Sequence, residues 1–206
     1  MLARGSATLV LSPLVATAAF MGAAILLEEP RLLYPGLPLG IAFFFLLVFF
    51  RDPDRVPGPG IVSPADGKVL EADPDTGRLT VFMALTDVHV NRAPLDGRVV
   101  DVVRTSGAHA PAYRPEARRN ERVETLLETA VGPIRVAQIA GTIARRIVPY
   151  RREGDRVKKG QRIGMIRFGS RVEMTLPKRA RFIVDVGDRV RAGETTVAEV
   201  VRDDRR

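Results

Sequence analysis

The sequence contains no cysteine and no tryptophan, and only two of its 206 residues are histidine. The absence of cysteine excludes disulfide bonds, thiolate nucleophiles and cysteine-based zinc sites. His89 and His109 are too few for a multi-histidine metal site, so the sequence predicts that no metal is bound. Any chemistry must therefore use serine, carboxylates, lysine, arginine, a single histidine, or a group made from the chain itself.

Acidic residues are in the minority, since 24 of them stand against 32 lysines and arginines, which gives a formal net charge of +8. This balance suits an anionic partner, either nucleic acid or an acidic membrane surface. Aromatic residues make up only 6% of the chain, and the sequence has no RNA-binding aromatic signature and no Cys/His finger. We therefore expect a membrane partner and no nucleic acid partner.

Two long apolar runs occupy the first 50 residues. Residues 8–27 contain no charge and are long enough to cross a hydrocarbon core of roughly 30 Å, and residues 32–50 form a second run after a short polar turn. The pattern predicts a helical hairpin that lies in the cell membrane or crosses it twice. Arg4 before the first run, with Arg51 and Arg55 after the second, predicts that the rest of the chain is cytoplasmic. A cleaved signal peptide is the alternative for the first run, and the second apolar run directly after it disfavours that interpretation.

The composition changes after the apolar runs. Residues 51–60 are rich in proline, glycine and aspartate, which predicts a linker between an anchoring region at 1–50 and a domain at 61–206. Within that domain, short β-branched runs alternate with glycine, aspartate and proline, a pattern typical of a mainly β fold with tight turns. Residues 116–127 are predicted to form a loop with a short helix.

Two pairs of internal repeats refine the predicted fold. GDRVKKGQ at 154–161 is matched by GDRVRAGE at 187–194, and PADGKV at 64–69 is matched by PLDGRV at 94–99. A Gly-Asp-x-Val-x-x-Gly element is typical of a strand turn in which glycine adopts a positive φ and aspartate bonds nearby backbone. Such repeats resemble those of barrel-sandwich hybrid domains, the fold of lipoyl and biotinyl carriers. We therefore expect a barrel-sandwich-hybrid-like β domain behind an N-terminal hydrophobic helical hairpin.

Five segments, taken in order, resemble the phosphatidylserine decarboxylase family, particularly its short prokaryotic branch. They are FFRDP at 49–53, SPADGKV at 63–69, TDVHVNRAP at 86–94, QIAGTIARRI at 138–147 and RFGSRV at 167–172. Each segment alone is a weak signal. Their occurrence together and in the family's order makes the resemblance specific.

The resemblance implies a proenzyme that cleaves its own chain between Gly169 and Ser170, into a β chain of residues 1–169 and an α chain of residues 170–206. The Ser170 hydroxyl would attack the Gly169 carbonyl, and elimination and hydrolysis would leave a pyruvoyl group at the new N-terminus. The implied activity is conversion of phosphatidylserine to phosphatidylethanolamine and CO₂ through a Schiff base between this pyruvoyl group and the substrate amine. The implied cofactor is thus made from Ser170, without metal or pyridoxal phosphate. The implied partners are an anionic serine phospholipid and the membrane.

The resemblance also implies roles for two further residues. A serine hydroxyl needs a base to accept its proton and a third group to orient that base, and the family's pattern gives these roles to His89 and Asp66. Larger relatives carry a second histidine where this sequence has Arg92. Whether His89 serves both self-cleavage and proton transfer in decarboxylation therefore stays open. Read alone, the Gly-Ser pair at 169–170 and the Asp-Gly pair at 66–67 would be ordinary turns.

Several alternatives stay open at this point. The head-group chemistry does not specify the lipid backbone, and a homo-oligomer is compatible with the sequence. The second class of function is a membrane-tethered carrier with a barrel-sandwich fold. Such a carrier would expose a modifiable lysine in a tight hairpin, and the stretch around Met174 has none. The enzyme is therefore the favoured hypothesis.

Overall fold

The structure is a computed structural model that describes residues 1–142, 146–168 and 170–200. Gly169, the first residue of the predicted cleavage pair, and residues 143–145 of the QIAGTIARRI segment lie outside the described residues. The chain forms two compact units, Met1–Asp54 and Arg55–Arg206. The boundary between them falls inside the stretch 51–60.

The first unit is a pair of antiparallel helices. Its elements are helix α1 (Ala7–Leu26), a 3₁₀ turn (Pro30–Leu32) and helix α2 (Leu33–Phe49). Leu2 and Arg51 form an antiparallel bridge that closes the open end, and the Thr17 hydroxyl donates to the Gly36 carbonyl at 3.4 Å between the helices. Both spans have a mean hydropathy above 2 and are long enough to cross a membrane. The predicted hydrophobic helical hairpin is confirmed.

The second unit is made of short antiparallel strands and one 3₁₀ helix. Its strands are β1 (Ile61–Val62), β2 (Gly67–Asp73), β3 (Arg78–Met83), β4 (Val90–Arg92), β5 (Gly97–Thr105), β6 (Arg122–Thr129), β7 (Gly132–Ala140), β8 (Arg146–Pro149), β9 (Arg156–Val157), β10 (Arg162–Arg167), β11 (Ser170–Thr175), β12 (Ala180–Phe182), β13 (Arg189–Val190) and β14 (Thr196–Val200). The 3₁₀ helix is Pro115–Arg119.

The strands form a curled eight-stranded sheet in the order β13-β2-β3-β11-β7-β6-β5-β9, together with two three-stranded sheets, β1-β14-β12 and β4-β10-β8. Side chains alternate between the two faces of each strand, so one face supplies the core. Val81, Val136 and Val172, on three neighbouring strands of the large sheet, are all fully buried. The predicted mainly β class is confirmed.

The internal repeats pair with one another in two equivalent arrangements. In the first, β13 of GDRVRAGE pairs with the start of β2, and the Val69 amide donates to the Asp188 carbonyl at 2.9 Å. In the second, β9 of GDRVKKGQ pairs with the start of β5, and the Val99 amide donates to the Asp155 carbonyl at 2.8 Å. The first glycine of each repeat, Gly154 or Gly187, has a positive φ, as the turn chemistry predicts.

One local prediction was wrong. Residues 116–127 were expected to be a loop with a short helix, but only the 3₁₀ helix Pro115–Arg119 fits that description, and strand β6 begins at Arg122. Val123 and Leu127 are buried on one face of β6, whereas Glu128 lies exposed. Two residues disturb the period-two pattern in the sequence: Thr125 is polar but buried, and Leu126 is apolar but lies on the opposite face from the buried residues.

Gly67, the first residue of β2, has no room for a side chain. Its φ is +139°, and a Cβ atom would lie 1.9 Å from the Phe82 carbonyl oxygen. Gly154 also has a positive φ, +89°, but nothing lies within 4 Å of its Cβ position. We expect Gly154→Ala to cost about 1–3 kcal/mol from backbone strain alone. Gly67→Ala should cost about 1–3 kcal/mol more, because the neighbouring strand must also shift. Urea unfolding of the two variants measures the difference, and equal costs would contradict this account of Gly67.

Candidate active site

Ser170 begins strand β11, which lies between β3 and β7 in the large sheet. Its backbone partners are Met83 on β3 and Ala140 on β7. All three residues are fully buried. The Ser170 Oγ makes no hydrogen bond among the described residues. Because buried hydroxyl groups normally have a partner, this one requires an explanation.

The connection that leads into Ser170 is strained. Phe168, two residues before it, has a φ of +63°, the left-handed region that side chains other than glycine rarely adopt. Such a conformation costs on the order of 1–3 kcal/mol and tends to occur at functional sites. Gly169, the residue between Phe168 and Ser170, lies outside the described residues. The strain that the structure does describe is on Phe168, and no sequence signal identified it.

His89 lies directly before β4 and is almost completely buried. Its Nδ1 lies 2.9 Å from the Asp87 carbonyl oxygen. Since a carbonyl only accepts, Nδ1 carries the proton, and the neutral ring then has its lone pair at Nε2. Asp87 is fixed in turn by a tight turn, because its carboxylate accepts the Ala84 amide at 2.8 Å.

The backbone segments that lead to His89 and to Ser170 lie next to each other. One runs from Met83 at the end of β3 to His89, and the other runs from Ile166 on β10 to Ser170. At one end of this arrangement Met83 is paired with Ser170. At the other end the Ile166 amide donates to the His89 carbonyl at 3.2 Å. The connections are therefore tied together at both ends, with the histidine on one and the serine on the other.

Asp66 lies at the same end of the large sheet, directly before Gly67, but its contacts differ from those predicted. Its two carboxylate oxygens accept hydrogen bonds from the Arg55 guanidinium, and Oδ1 also accepts the Ala192 amide at 2.8 Å. These are the described contacts of Asp66, and His89 is not among them. Sequence reasoning did not select Arg55 as a site residue. No motif links Arg55 to Asp66, 11 residues later, and its other described partner, Ala192, lies 137 residues away.

A small apolar pocket of about 150 Å³ opens beside Met83, the residue opposite Ser170. Leu85, Pro111, Tyr113 and Thr142 contribute to its lining. The Tyr113 ring contacts the Phe82 ring edge-on, with centroids 6.2 Å apart. The pocket thus lies between the β3–β4 connection and the loop of residues 106–121.

The buried Asn120 side chain holds the loop of residues 106–121 in place. Asn120 accepts the Ala110 amide, donates to the Ala110 carbonyl, and donates to the Ala140 carbonyl at 2.7 Å. Ala140 is the β7 residue opposite Ser170. Asn120 therefore connects the loop that lines the pocket to the strand beside the serine.

Arg171, the residue after Ser170 on β11, is held by two contacts. Its Nη2 forms an ion pair with Glu173 at 2.6 Å, and its Nη1 donates to the Arg114 carbonyl at 3.2 Å. Burial lowers the pKa of the Arg171 guanidinium, and the neighbouring Glu173 carboxylate partly opposes that shift. In the ranges 1–142, 146–168 and 170–200, no group of three or more His, Asp or Glu residues could hold a metal ion.

The chain thus combines two apolar helices with a mainly β unit, which has a buried serine at the start of a central strand and a histidine on the adjoining connection. The sequence profile of phosphatidylserine decarboxylases matches residues 42–198. The chain belongs to the phosphatidylserine decarboxylase family, whose members are pyruvoyl-dependent decarboxylases made as proenzymes.

Individual relatives agree with this assignment. The chain is 50% identical over 151 residues to a phosphatidylserine decarboxylase proenzyme of Thermobifida fusca, covering 71% of this chain and 70% of that one. It is 43% identical over 200 residues to the protein of the same name in Streptomyces griseus, covering 95% and 92% of the two chains. It is also 41% identical over 207 residues to a protein of Methanosarcina acetivorans provisionally named an archaetidylserine decarboxylase proenzyme, covering 98% and 99%.

Proposed function

We propose that this chain cleaves itself before Ser170 and then decarboxylates a serine phospholipid through a pyruvoyl group formed from that serine. The observation that carries the proposal is the Ser170 hydroxyl, which is fully buried and without a partner among the described residues. An unsatisfied buried polar group costs about 1–3 kcal/mol. Membership of a family of decarboxylase proenzymes gives a chemical reason why this hydroxyl is retained despite its cost in stability.

In the proposed cleavage, the Ser170 hydroxyl attacks the carbonyl carbon of Gly169, and the amide becomes an ester as the Ser170 nitrogen leaves. Loss of the Ser170 Cα proton then expels the Gly169 carboxylate. Tautomerisation and hydrolysis release ammonia and leave a keto group on residue 170. Relief of the left-handed backbone at Phe168 would favour the first of these steps.

His89 is the proposed base. Its Nδ1 proton is held by the Asp87 carbonyl, so the neutral ring presents its lone pair at Nε2. The sequence predicts Asp66 as the orienting group, but the described contacts of Asp66 are with Arg55 and Ala192. We therefore propose that the Asp87 carbonyl orients His89. His89 is also the proposed donor of the proton that replaces the departing carboxylate.

A pyruvoyl group at residue 170 would supply an electrophilic carbonyl, which would condense with the substrate amine with loss of water and would take up the electron pair left by CO₂. The buried Ser170 Oγ makes no hydrogen bond within the described part of the chain, which fits a position that is converted into such a group. The residues around it hold the new chain terminus. β11 is paired on both sides, and Arg171 fastens the residue next to the terminus through Glu173 and the Arg114 carbonyl.

We further propose that the helical pair anchors the protein in the cell membrane, with the β unit on the cytoplasmic side. Ile25, Ile41 and Phe44 are among the large apolar side chains that the helices expose, and a bilayer would cover them. Arg4 and Arg51 lie near the ends of the spans, as expected for a cytoplasmic face. The apolar pocket beside Met83 would bind the part of the lipid chains that is nearest the head group.

The substrate class is tested by a decarboxylation assay. Purified protein mixed with vesicles of carboxyl-labelled phosphatidylserine should release labelled CO₂ and form an equal amount of phosphatidylethanolamine. Because the named relatives differ in lipid backbone, serine lipids with ester-linked and with ether-linked chains are compared side by side, and the faster one identifies the natural backbone. Phosphatidylglycerol, an anionic lipid without a serine carboxylate, is the negative control. Absence of CO₂ from both serine lipids, with a cleaved protein, would contradict the proposed substrate class.

A further inference from the structure

We propose that Arg55 and Asp66 form a clamp that holds the α chain, residues 170–206, to the β chain after cleavage. The proposal rests on the proposed cleavage before Ser170. It assigns to Asp66 the task of joining the two products.

The clamp consists of two charged side chains from the β chain around one residue of the α chain. The Arg55 guanidinium donates to both oxygens of Asp66, with Nη2 to Oδ2 at 2.8 Å. The backbone of Ala192 completes the arrangement, because its amide donates to Asp66 Oδ1 at 2.8 Å and its carbonyl accepts from Arg55 Nη1 at 2.8 Å. Both polar groups of one peptide residue are therefore bonded by the ion pair.

The surroundings make this contact strong. The side chains of Arg55 and Asp66 are only 6% and 11% exposed. Water therefore competes poorly for either charge, and removing one partner leaves the other charge buried and unpaired. Bidentate guanidinium–carboxylate geometry also fixes the orientation of both groups. Ala192 is thus held in one position relative to the β chain.

The second copy of the repeat has the ordinary turn contact without the clamp, so comparing the two copies distinguishes them. Asp96 corresponds to Asp66, and its Oδ1 accepts the Lys159 amide at 2.6 Å, just as Asp66 accepts the Ala192 amide. Both residues of that second contact belong to the β chain. Lys159 sends its Nζ to the Gly58 carbonyl at 2.7 Å, again within the β chain. Among the described contacts of the two copies, an arginine joins the aspartate only in the first, and only there does the contact cross the proposed cut.

The experiment compares Arg55→Met with Lys159→Met in the full-length protein, purified in detergent with a tag on the N-terminus. Each variant loses one basic side chain that contacts backbone carbonyls, but only Arg55 contacts the α chain. After cleavage, the proteins are held in graded urea and passed through size exclusion, and intact mass gives the fraction of β chain that retains residues 170–206. Arg55→Met should release the α chain at least about tenfold faster than wild type, whereas Lys159→Met should match wild type.

A cleaved Arg55→Met protein that retains its α chain as well as wild type would overturn the clamp. So would a folded Arg55→Met protein that is not cut, because Arg55 would then act in cleavage. If Arg55→Met does not fold, Arg55→Lys carries the test. It keeps the charge without the fork and should release the α chain faster than wild type, and equal retention would overturn the proposal. An uncut wild-type chain would contradict the proposed cleavage instead.

Discussion

Ser170→Ala should abolish both cleavage and decarboxylation. Alanine removes the only hydroxyl at the proposed cut, and without a nucleophile the peptide bond keeps its ordinary stability. Intact mass spectrometry of the variant should show one chain of 22.6 kDa. The wild type should instead show a fragment of about 4 kDa, in proportion to the 37 residues from Ser170 to Arg206, lighter by one ammonia than simple hydrolysis would give.

Ser106→Ala is the matched control. Ser106 lies exposed in the loop of residues 106–121, so its loss should leave cleavage and CO₂ release unchanged. A Ser170→Ala protein that is still cut at the same place would contradict the proposed origin of the pyruvoyl group. A wild-type fragment with the mass of plain hydrolysis would support cleavage but contradict pyruvoyl formation.

His89→Gln should slow cleavage by about 10²–10⁴-fold, the usual contribution of a positioned general base. Glutamine keeps a hydrogen-bond donor near the Asp87 carbonyl but has no ring nitrogen to accept the serine proton. The rate is followed by the appearance of the 170–206 fragment after rapid purification of the precursor. Decarboxylation is then measured per cleaved molecule, which separates the two tasks proposed for His89.

His109→Gln is the control for this change, since His109 is the other histidine of the chain and lies exposed in a loop. It should be cut at the wild-type rate. If His89→Gln matched His109→Gln in both measurements, His89 would be neither the base nor the proton donor. If only decarboxylation fell, a different group would have to accept the Ser170 proton.

Local patterns predicted much of the fold. The apolar runs specified the two helices, because few other structures satisfy such uniform hydrophobicity. The repeated Gly-Asp turns specified paired hairpins, because glycine in the first position permits the positive φ that these turns need. Strand β6 escaped prediction because Thr125 is polar on its buried face and Leu126 is apolar on the opposite face, which disturbs the alternation.

Less of the candidate site could be predicted from local sequence patterns. Ser170, His89 and Asp66 were selected by resemblance, and their roles stay predictions. The partners of Asp66 could not be read from sequence, since no motif joins it to Arg55 and Ala192 lies 126 residues away. The strain at Phe168 was equally hidden, because a bulky residue carries no local preference for a positive φ.

The position of β11 between β3 and β7 has a consequence for how this protein would lose its structure. A chain cut before Ser170 would keep its fold, because β11 of the small fragment would stay hydrogen-bonded between β3 and β7 of the large one. Once heat separates the pieces, two chains must find each other again to rebuild an interior strand. Thermal inactivation of the mature protein should therefore be irreversible and depend on the heating rate, whereas the uncut Ser170→Ala chain can refold as a single molecule. The half-life of the mature form at high temperature should thus be set by the activation barrier for its unfolding.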